Sequence, residues 1–311
     1  MKTALVGCTG FVGSNICRSA GDQIQFRYHS TDIREAWGTR PDLLIYAGLR
    51  AEKYLANHEP EKDWQMILEA MENIRRIAPG QLVLISTIDV LKDSRGADES
   101  AIVEEKDLEP YGLHRFQLEK LVREYDPEAL IIRLPGLFGQ GLKKNFLYDF
   151  LHVIPTMLRN EKMEELCRKD GSLRQYYPSE ENGFFRVRAL EPAEERRLKD
   201  RFRSLGFSAL NFTDSRGKYQ FYSLDRLWED LQTARDHGLR LWHAATEPVS
   251  AAEVYRHLTG EDFRNELPGN PADYDFRTLH AELFGGENGY ISPKGQVLEQ
   301  IRAFVQAEGK C

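Results

Sequence analysis

Thr3-Ala4-Leu5-Val6-Gly7-Cys8-Thr9-Gly10-Phe11-Val12-Gly13 opens the chain with a short apolar run that enters a turn bearing glycine at every third place. Phe11 to Ser19 then continues at helical spacing. A strand, a glycine turn and a helix start in this order form a phosphate cradle. Gly7 permits the tight turn, Gly10 lets backbone approach a pyrophosphate, and Gly13 lets the helix pack on the strand. The helix start adds unpaired N–H donors and about half a positive charge. Gly7, Thr9, Gly10, Phe11, Val12 and Gly13 are therefore expected to hold the phosphates of a dinucleotide.

Outward from this turn, apolar runs alternate with amphipathic stretches. Ile24–His29, Asp42–Tyr46, Leu82–Ile85 and Ala129–Ile132 read as strands; Asp63–Ile77 and Phe116–Tyr125 read as helices. Such alternation predicts a parallel sheet covered on both faces, an α/β domain over residues 1–140. Past Gly141 the sequence is charge-dense and mostly helical in pattern to about residue 206, with a helix start at Glu191-Pro192. Tyr219–Leu224 reads as a strand followed by a helix, so 219–240 is expected to complete the first domain. Leu239–Ala244 reads as a further short strand. Residues 141–218 and 241–311 are expected to form a smaller, mostly helical substrate-binding lobe. Ser250-Ala251-Ala252-Glu253 is a capping box, and Ser292-Pro293 opens the last helix.

The net charge of −7 argues against nucleic acid as a partner, because phosphate binding needs a basic face. No apolar run reaches the 18 or so residues of a membrane helix, and no signal peptide fits the start. Cys8, Cys17, Cys167 and Cys311 show no C-x-x-C and no disulfide framework, which points to a reducing cytoplasm. No histidine spacing suggests a metal site.

Read together, these residues resemble the extended branch of the short-chain dehydrogenase/reductase superfamily. The resemblance runs through the glycine turn, Asp32-Ile33, Tyr46-Ala47-Gly48, Ser86-Thr87, Tyr111-Gly112-Leu113-His114-Arg115 and Arg133-Leu134-Pro135-Gly136-Leu137-Phe138-Gly139. It implies a Rossmann-type doubly wound sheet and a nicotinamide cofactor. It also implies an oxidoreductase or epimerase acting on a sugar or nucleotide-sugar, and a homodimer formed through residues 63–77 and 111–125. Asp32 and Ile33 would flank the adenine, Ala47 and Gly48 the ribose, and Leu134, Pro135 and Gly136 the nicotinamide. Thr87 and Tyr111 would be catalytic. Arg115 stands where the family usually has lysine.

Tyrosine has an ordinary pKa of about 10, so service as a base near neutrality needs help from a cation. A cation four residues along the same helix faces the same way. Arginine preserves the charge and can hold ribose hydroxyls, but it is forked and always protonated. That departure leaves a non-catalytic dinucleotide sensor as one alternative. Asp89, two residues past Thr87, offers a second: a dehydratase base, weighed against a plain strand-end acid. Strand two ends without an acid, so Arg27, His29 or Ser30 could meet a 2′-phosphate, and the reading leans to NADP over NAD. Lys143, Lys144, Asn145 and Arg216 are candidate substrate anchors, though each taken singly reads more readily as a surface charge.

Overall fold

The computed structural model describes residues 1–180 and 183–309; Cys311 lies outside the described residues. The chain divides into two compact units. The first comprises Met1–Leu142, Lys218–Val249 and Asp273–Ile301, and holds the parallel sheet. Its strands are β1 (Thr3–Val6), β2 (Phe26–Tyr28), β3 (Leu43–Tyr46), β4 (Leu82–Thr87) and β5 (Leu130–Leu134), with β6 (Gly136–Phe138) following at once. The helices between them are α1 (Phe11–Ala20), α2 (Lys53–His58), α3 (Pro60–Ile77) and α4 (Pro110–Tyr125).

The second unit comprises Lys143–Gly217, Ser250–Ala272 and Arg302 onward. It holds α5 (Phe146–His152), β7 (Met157–Arg159), α6 (Asn160–Lys169), β8 (Phe184–Arg186) and α7 (Pro192–Ser204). Its core gathers Leu158, Met163, Leu166, Leu173, Tyr177, Leu198 and Phe202. The pattern of this region is mostly helical, as expected; β7 and β8 in addition pair antiparallel, a contact between short segments some 27 residues apart that periodicity does not reveal.

In the first unit the chain continues through β9 (Lys218–Tyr219), β10 (Phe221–Ser223), α8 (Leu227–Asp236) and β11 (Leu241–His243). The sheet order is β11-β5-β4-β3-β1-β2, all parallel. The Rossmann-like α/β architecture expected from the sequence is therefore present. Two details differ. The segment 219–224 is broken at Gln220, whose buried side chain donates to the carbonyls of Thr246 and Phe276 and accepts from Phe276 N–H. Its second half, β10, pairs with β6 and not with the main sheet. The strand that completes the sheet is β11, so residues 241–249 and 273–301 pack with the sheet and not with the second unit.

Successive strand residues serve opposite faces. Leu5, Ile45, Val83 and Ile132 meet α1 and α8 through Ile16, Leu227 and Leu231. Ala4, Val6, Leu44, Leu84 and Ile131 meet α3 and α4 through Ile67, Met71, Ile74, Leu118 and Val122. Burial on both sides is why the strands read as unbroken apolar runs.

One polar chain crosses this core. Arg133 on β5 donates to Glu119 on α4, at 2.6 Å for its closest contact, and both are 3% exposed. Ser86 also donates to Glu119, and Arg133 sits 3.3 Å from the ring of His243. A buried pair stripped of one charge leaves the other uncompensated. Glu119→Gln is expected to cost about 3 kcal/mol or more, read as a lower urea midpoint; an unchanged midpoint would show that the pair contributes nothing.

Candidate active site

The chain leaves β1, builds β2 on one side, then returns to build β3 on the other. The carboxyl ends of β1 and β3 thus flank a topological switch point, where open α/β sheets leave a crevice for ligand. Gly7 stands there with φ +91°. A Cβ on it would lie 2.4 Å from Ala47 O, and one on Gly13 would lie 2.1 Å from Gly7 O. Gly7 and Cys8 both donate N–H to Tyr28 O, at 2.8 and 3.1 Å, tying the turn to β2. Thr9 and Gly10 are exposed, Phe11 and Val12 half-buried. The first turn of α1 contains no acid, so its positive end is left for an outside anion. This is a cradle that side chains would fill, and it fits a diphosphate.

At the end of β2, Arg27 is exposed and donates to Gly21 O at 2.8 Å. His29 is engaged with Asp32: its N–H donates to Oδ1 at 2.7 Å and its Nε2 lies 3.0 Å from Oδ2. Thr31 Oγ1 meets the other ring nitrogen at 2.9 Å. Burial, then the Asp32 charge, pushes the Cys8 thiol up, so this carboxylate acts on the glycine turn. Ser30 is exposed, and Ile33 opens a short 3-10 turn beside the core. The sequence put no acid here because strand two itself has none; the fold brings one back from three residues later.

Thr87 ends β4 directly opposite Leu134 in the β4–β5 register, followed by half-buried Pro135 and exposed Gly136. Its hydroxyl accepts Asp89 N–H at 3.2 Å, which leaves its own proton to donate. Gly112 seats α4 on this turn, since a Cβ there would lie 2.2 Å from Asp89 O. Tyr111, 7% exposed, stands next to Gly112 in the first turn of α4, near enough to Asp89 for that charge to act on its phenol. Burial pushes its phenol above the ordinary value; the Arg115 guanidinium and the Lys53 ammonium pull down, the Asp89 and Asp63 carboxylates push up, and burial prevails.

Arg115 is not an open ribose holder. It is 3% exposed, stacks 4.2 Å over the Tyr111 ring, and donates to Asp63 and to Arg50 O. Asp63, from the first turn of α3, also meets His114 at 2.8 Å. This guanidinium belongs to the packing that fixes the Tyr111 ring. Asp89 Oδ1 in turn meets Lys53 Nζ at 3.3 Å and accepts from Tyr274 Oη at 3.4 Å. Tyr274 is pushed up to about 12 by burial first and the Asp89 charge second.

Lys53, Asn57, Asp63 and Tyr274 were not foreseen. Asn57 accepts the Tyr111 N–H at 3.0 Å and donates to Glu109 at 2.6 Å, securing the start of α4. Asp63 was legible only as a helix-start acid. Nothing in the spacing joins Tyr274 to Asp89, 185 residues away.

The substrate anchors of the second unit are otherwise employed. Asn145 caps α5, its side chain accepting from Leu147 and Tyr148 N–H. Arg216 forms a fork with Asp214, lies 3.3 Å from Glu266 and donates to Leu267 O. Lys143 and Lys144 are exposed ahead of that cap. A diphosphate grip by Arg216 would have to displace two carboxylates.

No protein-family model and no curated protein sequence matches the chain. Solved structures do. A dTDP-4-dehydrorhamnose reductase of Clostridium acetobutylicum is 14% identical over 99% of each chain, with a TM-score of 0.62. RMD of Pseudomonas aeruginosa, in complex with NADPH, is 16% identical over 100% of this chain and 99% of its own, at 0.61. A UDP-glucose 4-epimerase of Thermotoga maritima, with UDP-glucose, is 13% identical over the same shares, at 0.63. At such identities the likeness is one of fold, and the protein has the Rossmann-like α/β fold of these structures.

Proposed function

We propose that the protein is an NAD(P)-dependent oxidoreductase that reduces a carbonyl on a sugar or nucleotide-sugar. The observation behind this reading is the seating of Gly112 on the Thr87–Asp89 turn, which brings the start of α4, with Tyr111, against the end of β4 at the carboxyl edge that also bears the glycine cradle. The fold neighbours support the substrate class, since a dehydrorhamnose reductase and a UDP-glucose epimerase are among them.

A bound reduced nicotinamide supplies the hydride. The chain's own residues handle the proton. A phenol held above its ordinary value by burial stays neutral, the form that gives a proton to a carbonyl oxygen. Thr87, with its oxygen occupied by Asp89 N–H, has its hydroxyl free to hydrogen-bond the same oxygen, keeping its own proton. Arg115 and Asp63 keep the Tyr111 ring in place. The Asp32 carboxylate beside the turn favours a ribose hydroxyl over a 2′-phosphate, which moves the preference from NADP toward NAD.

Turnover of a nucleotide-sugar panel with NADH and NADPH tests the reading. Tyr111→Phe is expected to lower kcat by about 10²–10⁴, with NADH affinity unchanged; full activity in that variant would defeat the assignment. Because the shift is upward, the acid form fills the neutral range. Reduction should therefore be flat through neutrality and fall only at a pH above the ordinary tyrosine value of 10.0. A pH–rate profile with its descending limb near neutrality would show that another group gives the proton.

A further inference from the structure

We propose that Lys53, and not Arg115, is the cation that a nicotinamide dinucleotide meets at the Tyr111 end of the site, its ammonium moving from Asp89 to donate to ribose hydroxyls. This rests on the cofactor reading above and names a residue that reading leaves out.

Arg115 is not available to a ligand. Its guanidinium is sealed, with one side on Asp63, another on Arg50 O and a face on the Tyr111 ring. Freeing it would strand Asp63, which is 1% exposed, without its charge partner. A group so engaged is part of the wall.

Lys53 has the opposite properties. It begins α2, five residues past the Ala47-Gly48 turn that lies against the glycine cradle. Its side chain is 48% exposed, and its contact with Asp89 is long at 3.3 Å. Asp89 is partly exposed too, and its same oxygen takes Tyr274 Oη at 3.4 Å. Both contacts lie beyond the usual hydrogen-bond range, and an exposed ion pair of this kind is worth about 1 kcal/mol or less. An ammonium on a four-carbon stem with three donors can leave such a pair at little cost. Asp89, with a side chain 24% exposed, then faces solvent, so the carboxylate is not left buried without a partner. The electrostatic reach is already present, because the Lys53 charge acts on the Tyr111 phenol.

The test uses the full-length protein and NADH as the probe. Affinity is read from nicotinamide fluorescence, and lysine acetylation by acetic anhydride is followed residue by residue by mass spectrometry. With NADH saturating, Lys53 should acetylate about tenfold more slowly, and Lys53→Met should weaken NADH by about tenfold, the scale of one hydrogen bond from a charged donor. Lys62, an exposed α3 lysine paired with Glu59, serves as the internal reference and should not change. Lys53→Arg should recover most of the affinity, and neither variant should alter Tm. If NADH binds while Lys53 acetylates at its free rate, or if Lys53→Met binds NADH as well as the parent protein, the inference is overturned. If the parent protein binds neither NADH nor NADPH, the cofactor reading itself falls, and the Lys53 inference falls with it.

Discussion

At Gly7, three stretches of backbone converge with no room for a single extra carbon. Ala47 closes on one side, Gly13 on another, and Tyr28 O receives two N–H groups from the turn. This contact fixes the spacing of β1 to β3 and of α1 to β1. It thereby places the carboxyl ends of the central strands side by side. Everything assigned to chemistry hangs from that edge: the cradle at β1, Ala47 at β3, Thr87 at β4 and Leu134 at β5.

A second constraint governs charge. The site contains two cations and two carboxylates that act on Tyr111, arranged as a sealed pair and a loose pair. The sealed pair of Arg115 and Asp63 sets geometry. The loose pair of Lys53 and Asp89 remains open to ligand. With charges of both signs acting on it, burial decides the balance, and the Tyr111 phenol keeps its proton above the ordinary value.

The sheet was legible because strands covered on both faces must be apolar throughout, and because the glycines of the opening turn have steric reasons to be there. Thr87 and Tyr111 were named through the family resemblance, and their places at the end of β4 and the start of α4 follow from the pattern of those elements. The role of Arg115 was not, since its partner Asp63 lies on another helix and looks like any first-turn acid. The partners of Arg216 and Asn145 were hidden for the same reason: an isolated polar residue in a sequence gives no sign of the carboxylate or helix end it already serves. The second unit, built from short elements with few periodic positions, announced its helices but not its β7–β8 pair.

The Asp63–Arg115 contact also bears on how such a chain can change over generations. A lysine at 115 would face a buried carboxylate shaped for a guanidinium and would lose the bond to Arg50 O. A neutral residue at 63 would strand the arginine. Neither position can drift alone without a loss of stability, so the two are bound to alter together or not at all. Lys53 and Asp89, exposed and loosely joined, are under no such bond. A change at 115 thus demands a matching change at 63, while a change at 53 demands none.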